Sequence, residues 1–316
     1  RPRRAAAPTG AAQGCSFRRS TLEIAPVALA RQPGKIAAFR ARRRPRPARI
    51  RIVSKSLGIC IGASSIKAVE LIEADGGLRI GRTRVLNHEC NARGGLLTVL
   101  EEFPPAAYDS VCVTGRKFKD LVNLPTITEP EACEYALRWL LDAEGAARDA
   151  GAGRSARGGQ SPRGNPYTAL ASLGSENFIV YQLNEEGSIV GVRTGNKCAS
   201  GTGEFFLQQI RRMNIGVDEA SRIAHGAEPY NVSGRCSVFC KSDCTHALNK
   251  GIPKDRVCAG LGEMIAEKVV EILGSLKREN ILAVGGVTRN SFVMERLGTK
   301  IRNLVVPPHA DVFEAL

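Results

Sequence analysis

Short apolar runs that end in glycine-rich turns recur through the chain from residue 56 onward. In the first half, such runs at 57–62, 66–73, 78–85 and 110–115 predict β-strands, because each has the length of a strand and is bounded by Gly or polar residues. Apolar residues at 132, 136, 139, 140 and 143 then follow helical spacing and predict a helix over 131–143. Three strands in hairpin order, a fourth strand and a helix together predict an α/β layer.

The same order begins again after residue 166. Apolar runs predict strands at 167–173, 178–183, 189–194 and 280–284. Between the third and fourth of these, helical periodicity predicts helices at about 202–213, 217–225, 238–250 and 255–276, with a last helix at 291–298. Both halves therefore start as strand, glycine turn, strand, which indicates two similar α/β layers.

The two halves are separated by a stretch of different composition. Gly, Ala, Arg and Ser dominate 144–165, which predicts a mobile low-complexity insertion. We therefore expect a first domain over 56–143 and a second over 166–316. The chain starts at Arg1 rather than Met and stops at Leu316, so we expect the second domain to be truncated at its C-terminus.

Basic charge is concentrated at the N-terminus. Residues 1–55 hold 15 of the 45 Lys and Arg residues and one acidic residue, Glu23, and their Arg-, Ala- and Pro-rich composition predicts a disordered tail. The rest of the chain has 30 basic and 30 acidic residues, so the net charge of +14 does not indicate a nucleic-acid-binding surface on the folded part.

Cysteine content and apolar run length indicate the compartment. No apolar run approaches the roughly 20 residues that span a membrane, and the apolar stretch after Arg18-Arg19 is too short and too interrupted for an export signal. Ten cysteines without a secretory signal predict a reducing cytoplasm, where thiols stay free or bind metal.

Three glycine-containing turns lie where predicted strands end. The first two each join strands of a hairpin, and two such hairpins facing each other would clamp a phosphate tail with their backbone N–H groups. The third joins a strand to a helix and would lie flat against an adenosine. Tight turns also use Gly for purely geometric reasons, but the order of these three turns along the chain favours a nucleotide-binding site. The candidate nucleotide-binding residues are Gly62, Ala63, Ser64, Ser65, Lys67, Gly174, Ser175, Gly285, Gly286, Val287 and Asn290.

Two cysteines, Cys198 and Cys236, each lie where a Gly/Ser-containing turn enters a predicted helix. A helix N-terminus favours a nearby anion, and a thiolate-ligated iron–sulfur cluster is anionic. A symmetric dimer would place four such thiolates around its axis, the number that holds a 4Fe–4S cluster. The alternative is that both are small buried residues, the usual state of a free cysteine.

For the remaining cysteines of the predicted helices and strands, the sequence pattern favours a role in packing over a role in metal binding. Cys240 and Cys244 follow Cys236 at spacings of four, so one helix face would carry all three sulfurs, about 6 Å apart and too far for one zinc ion. A second metal site or an electron exit stays an alternative for this stripe. Cys133 and Cys258 lie in helical patterns and Cys60 and Cys112 in strands. The four histidines form no metal-binding pair.

The three turns, in this order, resemble the phosphate-1, phosphate-2 and adenosine elements of the actin-like ATPase superfamily. The run Asn-Lys-Cys-Ala-Ser-Gly-Thr-Gly at 196–203, Cys-Ser-Val-Phe at 236–239, Ala-Gly-Leu at 259–261 and Gly-Gly-Val-Thr-Arg-Asn at 285–290 resemble one branch of it, the BadF/BadG/BcrA/BcrD-type ATPases. That branch comprises activators of 2-hydroxyacyl-CoA dehydratases and ATPase subunits of benzoyl-CoA reductase. The resemblance covers about 56–316, apart from 144–165.

The resemblance implies two actin-like (ribonuclease-H-like) domains around a nucleotide cleft. It further implies a homodimer that binds ATP or ADP with Mg²⁺ and holds one 4Fe–4S cluster on Cys198 and Cys236 of each copy. Such a protein takes an electron from reduced ferredoxin or flavodoxin and passes it to a dehydratase- or reductase-type partner.

The sequence departs from the family at both phosphate turns. Where the family usually has an Asp that orients Mg²⁺ or its waters, this chain has Cys60 and Ser172. Glu176 is then the remaining nearby carboxylate, and we expect it to position the attacking water. A carbohydrate kinase of the same fold, or a nucleotide-binding scaffold that does not hydrolyse ATP, are the alternative functions.

Overall fold

The computed structural model describes residues 54–74, 77–115, 119–151, 164–195, 202–234 and 236–316, and for 146–151 the backbone alone. Nine strands and seven α-helices lie in these ranges. The strands are β1 Ser54–Ile61, β2 Ser65–Ala74, β3 Gly77–Asn87, β4 Ser110–Thr114, β5 Ala169–Leu173, β6 Phe178–Leu183, β7 Ile189–Thr194, β8 Glu279–Val284 and β9 Arg302–Val305. The helices are α1 Ala92–Glu102, α2 Glu129–Gly151, α3 Gly203–Arg212, α4 Val217–Ala224, α5 Ser237–Asn249, α6 Lys254–Leu273 and α7 Ser291–Lys300.

The strands form two sheets built on the same plan. The first sheet has the order β3-β2-β1-β4 and the second the order β7-β6-β5-β8-β9. In each sheet the opening strand pairs antiparallel with the next one, whereas its other edge pairs parallel with a later strand, β4 for β1 and β8 for β5. The α/β class and the hairpin start of both halves, predicted from the apolar runs, are confirmed.

Helices cover the second sheet on both faces. Alternate residues of β5 separate the two sides: Leu170 packs with α2, whereas Ala169 and Ala171 pack in the large apolar core formed with α3 to α7. The first sheet packs α1 on one face, through residues such as Leu96 and Val99. This alternation is the period-two pattern of strands that are buried on both faces.

A C-terminal 3-10 helix, Ala310–Ala315, contacts both sheets. Val312 and Ala315 pack against Cys60 and Val69 of the first sheet, and Phe313 belongs to the core between α2 and the second sheet. The approach is so close that a Cβ atom at Gly58 would collide with the carbonyl oxygen of Ala315. Only glycine leaves room for this contact.

Several predictions about the elements are wrong. The segment 144–165 is not linker throughout, because α2 continues to Gly151. Helix α1 was not predicted: its Gly94-Gly95 pair disfavours a helix, but Asn91 caps it by accepting a hydrogen bond from the Gly94 N–H. The short edge strand β9 was also missed. Residues 1–53, which include most of the predicted tail, lie outside the described residues.

Within the described residues, no helix is both long and apolar enough to cross a membrane.

We expect Gly58→Ala to lower the free energy of unfolding by about 1–3 kcal/mol, because the added methyl forces β1 away from the 3-10 helix. Thermal or urea denaturation followed by circular dichroism measures this change. Gly298→Ala is the control substitution. Gly298 lies in α7, and a Cβ atom added there would meet no other atom within 4 Å. Equal stability of the two variants would show that the contact at Gly58 is not tight.

Candidate nucleotide site

A cavity of about 420 Å³ lies between the two sheets, at the ends of β1 and β5. Turn 1 (62–65), turn 2 (174–177) and the loop 285–290 all contribute to its wall. Of the nucleotide-binding residues predicted from sequence, those that line the cavity are Gly62, Ala63, Ser64, Ser65, Lys67, Gly174, Ser175, Gly286, Val287 and Asn290. The predicted water-positioning residue, Glu176, lines it as well. The structure thus brings these residues together, and their roles in binding stay predictions.

Turns 1 and 2 have the same backbone hydrogen bond. The Gly62 N–H donates to the Ser65 carbonyl at 2.9 Å, and the Gly174 N–H donates to the Asn177 carbonyl at 3.1 Å. Each turn thereby closes a hairpin whose small residues leave the backbone accessible. The buried His88 supports turn 1, with Nε2 3.1 Å from the Gly62 carbonyl oxygen.

Turn 2 is bonded directly to the start of α3. The N–H groups of Gly203 and Glu204 donate to the carbonyls of Gly174 and Ser175, at 3.3 and 2.9 Å. Thr202 caps the same helix by accepting from the Phe205 N–H. The position of turn 2 and the position of the α3 N-terminus are therefore fixed together.

The loop 285–290 joins β8 to α7. Gly285 has a φ of 96°, and a Cβ there would collide with Leu173, so the position requires glycine. Gly285 itself does not line the cavity; its N–H donates to the Ala310 carbonyl at 2.7 Å. Asn290 caps α7 by accepting from the Val293 N–H. These bonds hold Gly286 and Val287 at the cavity wall, where the sequence predicts that the adenosine binds.

The cavity floor contains a buried ion pair that joins the two sheets. Lys67 Nζ on β2 lies 2.7 Å from Oε2 of Glu314, and the Ser172 hydroxyl on β5 donates to Oε1 of the same carboxylate at 2.8 Å. Both charged residues are 8% exposed. One carboxylate from the C-terminal 3-10 helix thus holds a cation of the first sheet and a hydroxyl of the second.

The ion pair keeps both partners charged. Burial alone would raise the pKa of Glu314, but the Lys67 charge and the hydrogen bonds from Lys67 and Ser172 outweigh it and hold that pKa below its usual value. Burial would lower the pKa of Lys67, and the Glu314 carboxylate raises it instead. Each charge therefore depends on the other.

The expectation that Glu176 is the remaining carboxylate near the turns is wrong. Glu314, Asp311, Glu129 and Asp218 line the same cavity. These acids come from other elements of the chain and form no sequence motif with the turns. The only signal in the sequence was that a Lys at position 67, facing a buried wall, needs a counter-ion.

Cys60, at the end of β1, also lines the cavity. It is buried, and burial is the main cause that raises the pKa of its thiol to about 12. It is therefore a neutral thiol where the family usually has an ionised Asp. Ser172 is likewise neutral, so the negative charge beside Lys67 comes from position 314.

The second candidate cluster ligand, Cys236, is half-buried and occupies the N-cap position of α5. Its side chain makes no capping hydrogen bond to the N–H groups of the helix. Val238 and Phe239 follow it and are 70% and 65% exposed. The first candidate ligand, Cys198, lies outside the described residues.

The remaining cysteines of α5 pack in the core. Cys240 and Cys244 are buried, and Cys240 Sγ lies 3.6 Å from Met264 Sδ on α6. The hydrogen bond from Cys240 lowers the pKa of Cys244. Among the described residues, no cluster of three or more His, Cys, Asp or Glu side chains could hold a metal ion. These contacts favour packing over a second metal site.

The fold belongs to the actin-like class. The structure resembles the activator of 2-hydroxyisocaproyl-CoA dehydratase from Clostridium difficile, solved with bound ADPNP, with a TM-score of 0.66 and 19% identity over 83% of this chain and 91% of that one. At this identity the likeness shows the fold. It confirms the predicted α/β, actin-like architecture.

Residues 163–312, just under half of the chain, match the model of the BadF/BadG/BcrA/BcrD ATPase family. Among curated relatives, the 2-hydroxyisocaproyl-CoA dehydratase activator of Clostridioides difficile is 24% identical over 44% of this chain and 53% of its own length. The (R)-2-hydroxyglutaryl-CoA dehydratase activating ATPase of Acidaminococcus fermentans is 28% identical over 44% of this chain and 55% of its own length. The chain thus spans about half the length of these relatives.

We expect iodoacetamide at pH 8 to alkylate Cys90 well before Cys60 and Cys258 in the folded protein. Only the thiolate reacts, and burial raises the pKa of both Cys60 and Cys258 to about 12, so about one molecule in 10⁴ is thiolate at pH 8. Cys90 is exposed. Peptide mass spectrometry after timed labelling measures the rates, and labelling in urea is the control. Equal rates in the folded protein would contradict the burial of Cys60.

Proposed function

We propose that this protein is an ATP-dependent iron–sulfur reductive activator. It binds MgATP between its two sheets, hydrolyses it, and delivers a low-potential electron to a dehydratase- or reductase-type partner. The observation that carries the proposal is the cavity itself, in which turn 1, turn 2 and the loop 285–290 face one another. A cavity of about 420 Å³ is in the range of small-ligand sites.

The chemistry of the cavity wall supports a polyphosphate ligand. Turns 1 and 2 offer backbone N–H groups, the hydroxyls of Ser64 and Ser65 add donors, and Lys67 adds a positive charge. Mg²⁺ is usually held by one or two carboxylates together with the phosphates of its nucleotide, rather than by an all-protein cage. The carboxylates of the cavity wall therefore fit MgATP, even though neither turn begins with an acid.

Cys236 fits a cluster ligand because its thiol lies at a helix N-terminus, where it makes no capping hydrogen bond. With Cys198 as the second ligand, two copies supply four thiolates for one 4Fe–4S cluster, which accepts and donates single electrons. The exposed Val238 and Phe239 beside Cys236 offer apolar surface to the second copy. We also propose a cytoplasmic location, where thiols stay free or bind metal. The described cysteines are free thiols.

The proposed electron path needs a donor and an acceptor. Reduced ferredoxin or flavodoxin supplies one electron, and a partner resembling a 2-hydroxyacyl-CoA dehydratase or benzoyl-CoA reductase component receives it. The two relatives from Clostridioides difficile and Acidaminococcus fermentans are activators of 2-hydroxyacyl-CoA dehydratases, which supports this class of partner.

Glu176 is our candidate for positioning the attacking water. We expect Glu176→Ala to lower kcat for ATP at least about tenfold with little change in KM, because a positioned water contributes to the transition state rather than to nucleotide binding. Phosphate release assays measure both constants. Glu186→Ala, in the β6–β7 loop away from the cavity, is the control. Normal ATP hydrolysis by Glu176→Ala would refute the role.

Metal content tests the cluster. Protein purified under strict anoxia should contain about four irons and four acid-labile sulfides per dimer, with an ultraviolet–visible spectrum that changes on addition of MgATP. We expect Cys236→Ser to lose the cluster, because one thiolate per copy is removed. Cys90→Ser, which removes an exposed thiol elsewhere, is the matched control.

A full cluster in Cys236→Ser would overturn its assignment as a ligand. A colourless, iron-free wild type that still binds nucleotide would overturn the activator proposal and favour a kinase or a nucleotide-binding scaffold.

A further inference from the structure

We propose that Glu314 is a positioning residue for ATP hydrolysis. It orients the Lys67 ammonium towards the phosphates and holds the Ser172 side chain by accepting a hydrogen bond from its hydroxyl. From the 3-10 helix it also supplies the buried negative charge that positions 60 and 172 lack. This inference rests on the proposed function, since it assigns a role within the same cavity.

The register of the strands brings the Glu314 carboxylate close to both position 60 and position 172. Cys60 on β1 is paired with Lys67 on β2, so the Glu314 carboxylate that binds Lys67 lies beside the end of β1. Ser172, near the end of β5, donates directly to the other oxygen of that carboxylate. Glu314 therefore reaches the two strand ends that carry turns 1 and 2.

The hydrogen-bonding capacity of the ammonium leaves room for a phosphate. Lys67 has three N–H donors, and its contact with Glu314 uses one of them. The same group can therefore bind Glu314 and a phosphate oxygen together. With Glu314 present, the ammonium has one preferred direction; without it, the flexible lysine side chain can follow the phosphates wherever they move.

Stability alone does not account for this ion pair. Burying two charges costs desolvation energy, and well-packed apolar residues in place of a buried pair are often as stable or more so. The pair lies on a cavity floor beside the phosphate turns rather than in a closed core. Its charges thus face the volume that the nucleotide would occupy.

The charge balance predicts that Glu314→Gln binds the nucleotide more tightly but turns it over more slowly. The amide keeps the size of the side chain and can still bind the Ser172 hydroxyl, but it leaves the Lys67 charge without its counter-ion. Binding of the anionic nucleotide should therefore tighten, by about threefold to tenfold. Turnover should fall at least about tenfold, because small displacements of a positioning group are costly in the transition state.

The experiment compares the wild type with Glu314→Gln and Glu314→Asp in the full chain. We would measure Kd for MgADP and for a non-hydrolysable ATP analogue by calorimetry, kcat and KM by phosphate release, and the unfolding temperature. Glu314→Asp restores the charge on a shorter side chain and should recover part of the turnover and the weaker nucleotide binding. Glu263→Gln is the matched control, since Glu263 is paired with Arg296 and Lys300 away from the cavity.

The outcomes separate the inference from the proposed function. Tighter binding with slower turnover in Glu314→Gln, absent from Glu263→Gln, supports the inference. Wild-type kcat in Glu314→Gln, or a loss of stability and turnover with no tightening of nucleotide binding, would leave Glu314 a structural link and overturn it. If the wild type binds no nucleotide, the proposed function fails. If it binds but does not hydrolyse, nucleotide binding stands, whereas the hydrolysis step of the proposed function fails and the positioning role fails with it.

Discussion

The contact between the C-terminal 3-10 helix and the two sheets is the constraint on which the cavity depends. Ala315 packs against the backbone of Gly58 in the first sheet, and the Ala310 carbonyl accepts from Gly285 beside the second. Phe313 fills the core below α2. A six-residue element thereby fixes the spacing of β1 and β5, and with it the distance between the two turns that end these strands.

Glu314 adds charge to this steric contact. A carboxylate placed between two sheets must be paired, because an isolated buried charge is strongly unfavourable. Lys67 neutralises it from one sheet and Ser172 donates to it from the other. The consequence is that the Lys67 ammonium, the Ser172 hydroxyl and the 3-10 helix form one hydrogen-bonded unit, in which a change at any member affects the others.

Local patterns predicted the local elements well. The apolar runs located β6 and β7 at their observed bounds, and the helical spacing located α3 to α7 within a few residues. They failed where tertiary contacts decide: Asn91 caps a glycine-containing helix that the pattern disfavours, and α2 extends into a stretch whose composition indicates a linker. The turns of the candidate site were predictable because each is a short motif. Glu314 was not, because its place at the cavity depends on a contact between residues 247 positions apart.

The hydrogen bonds of turn 2 couple this turn to the start of α3. The first N–H groups of α3 donate to the carbonyls of Gly174 and Ser175, so a displacement of turn 2 displaces the start of α3 with it. In the sequence, Cys198 precedes the α3 cap Thr202 by four residues. Under the proposed function, phosphate binding at turn 2 would therefore act on the start of α3, which follows the proposed ligand Cys198 closely in the sequence.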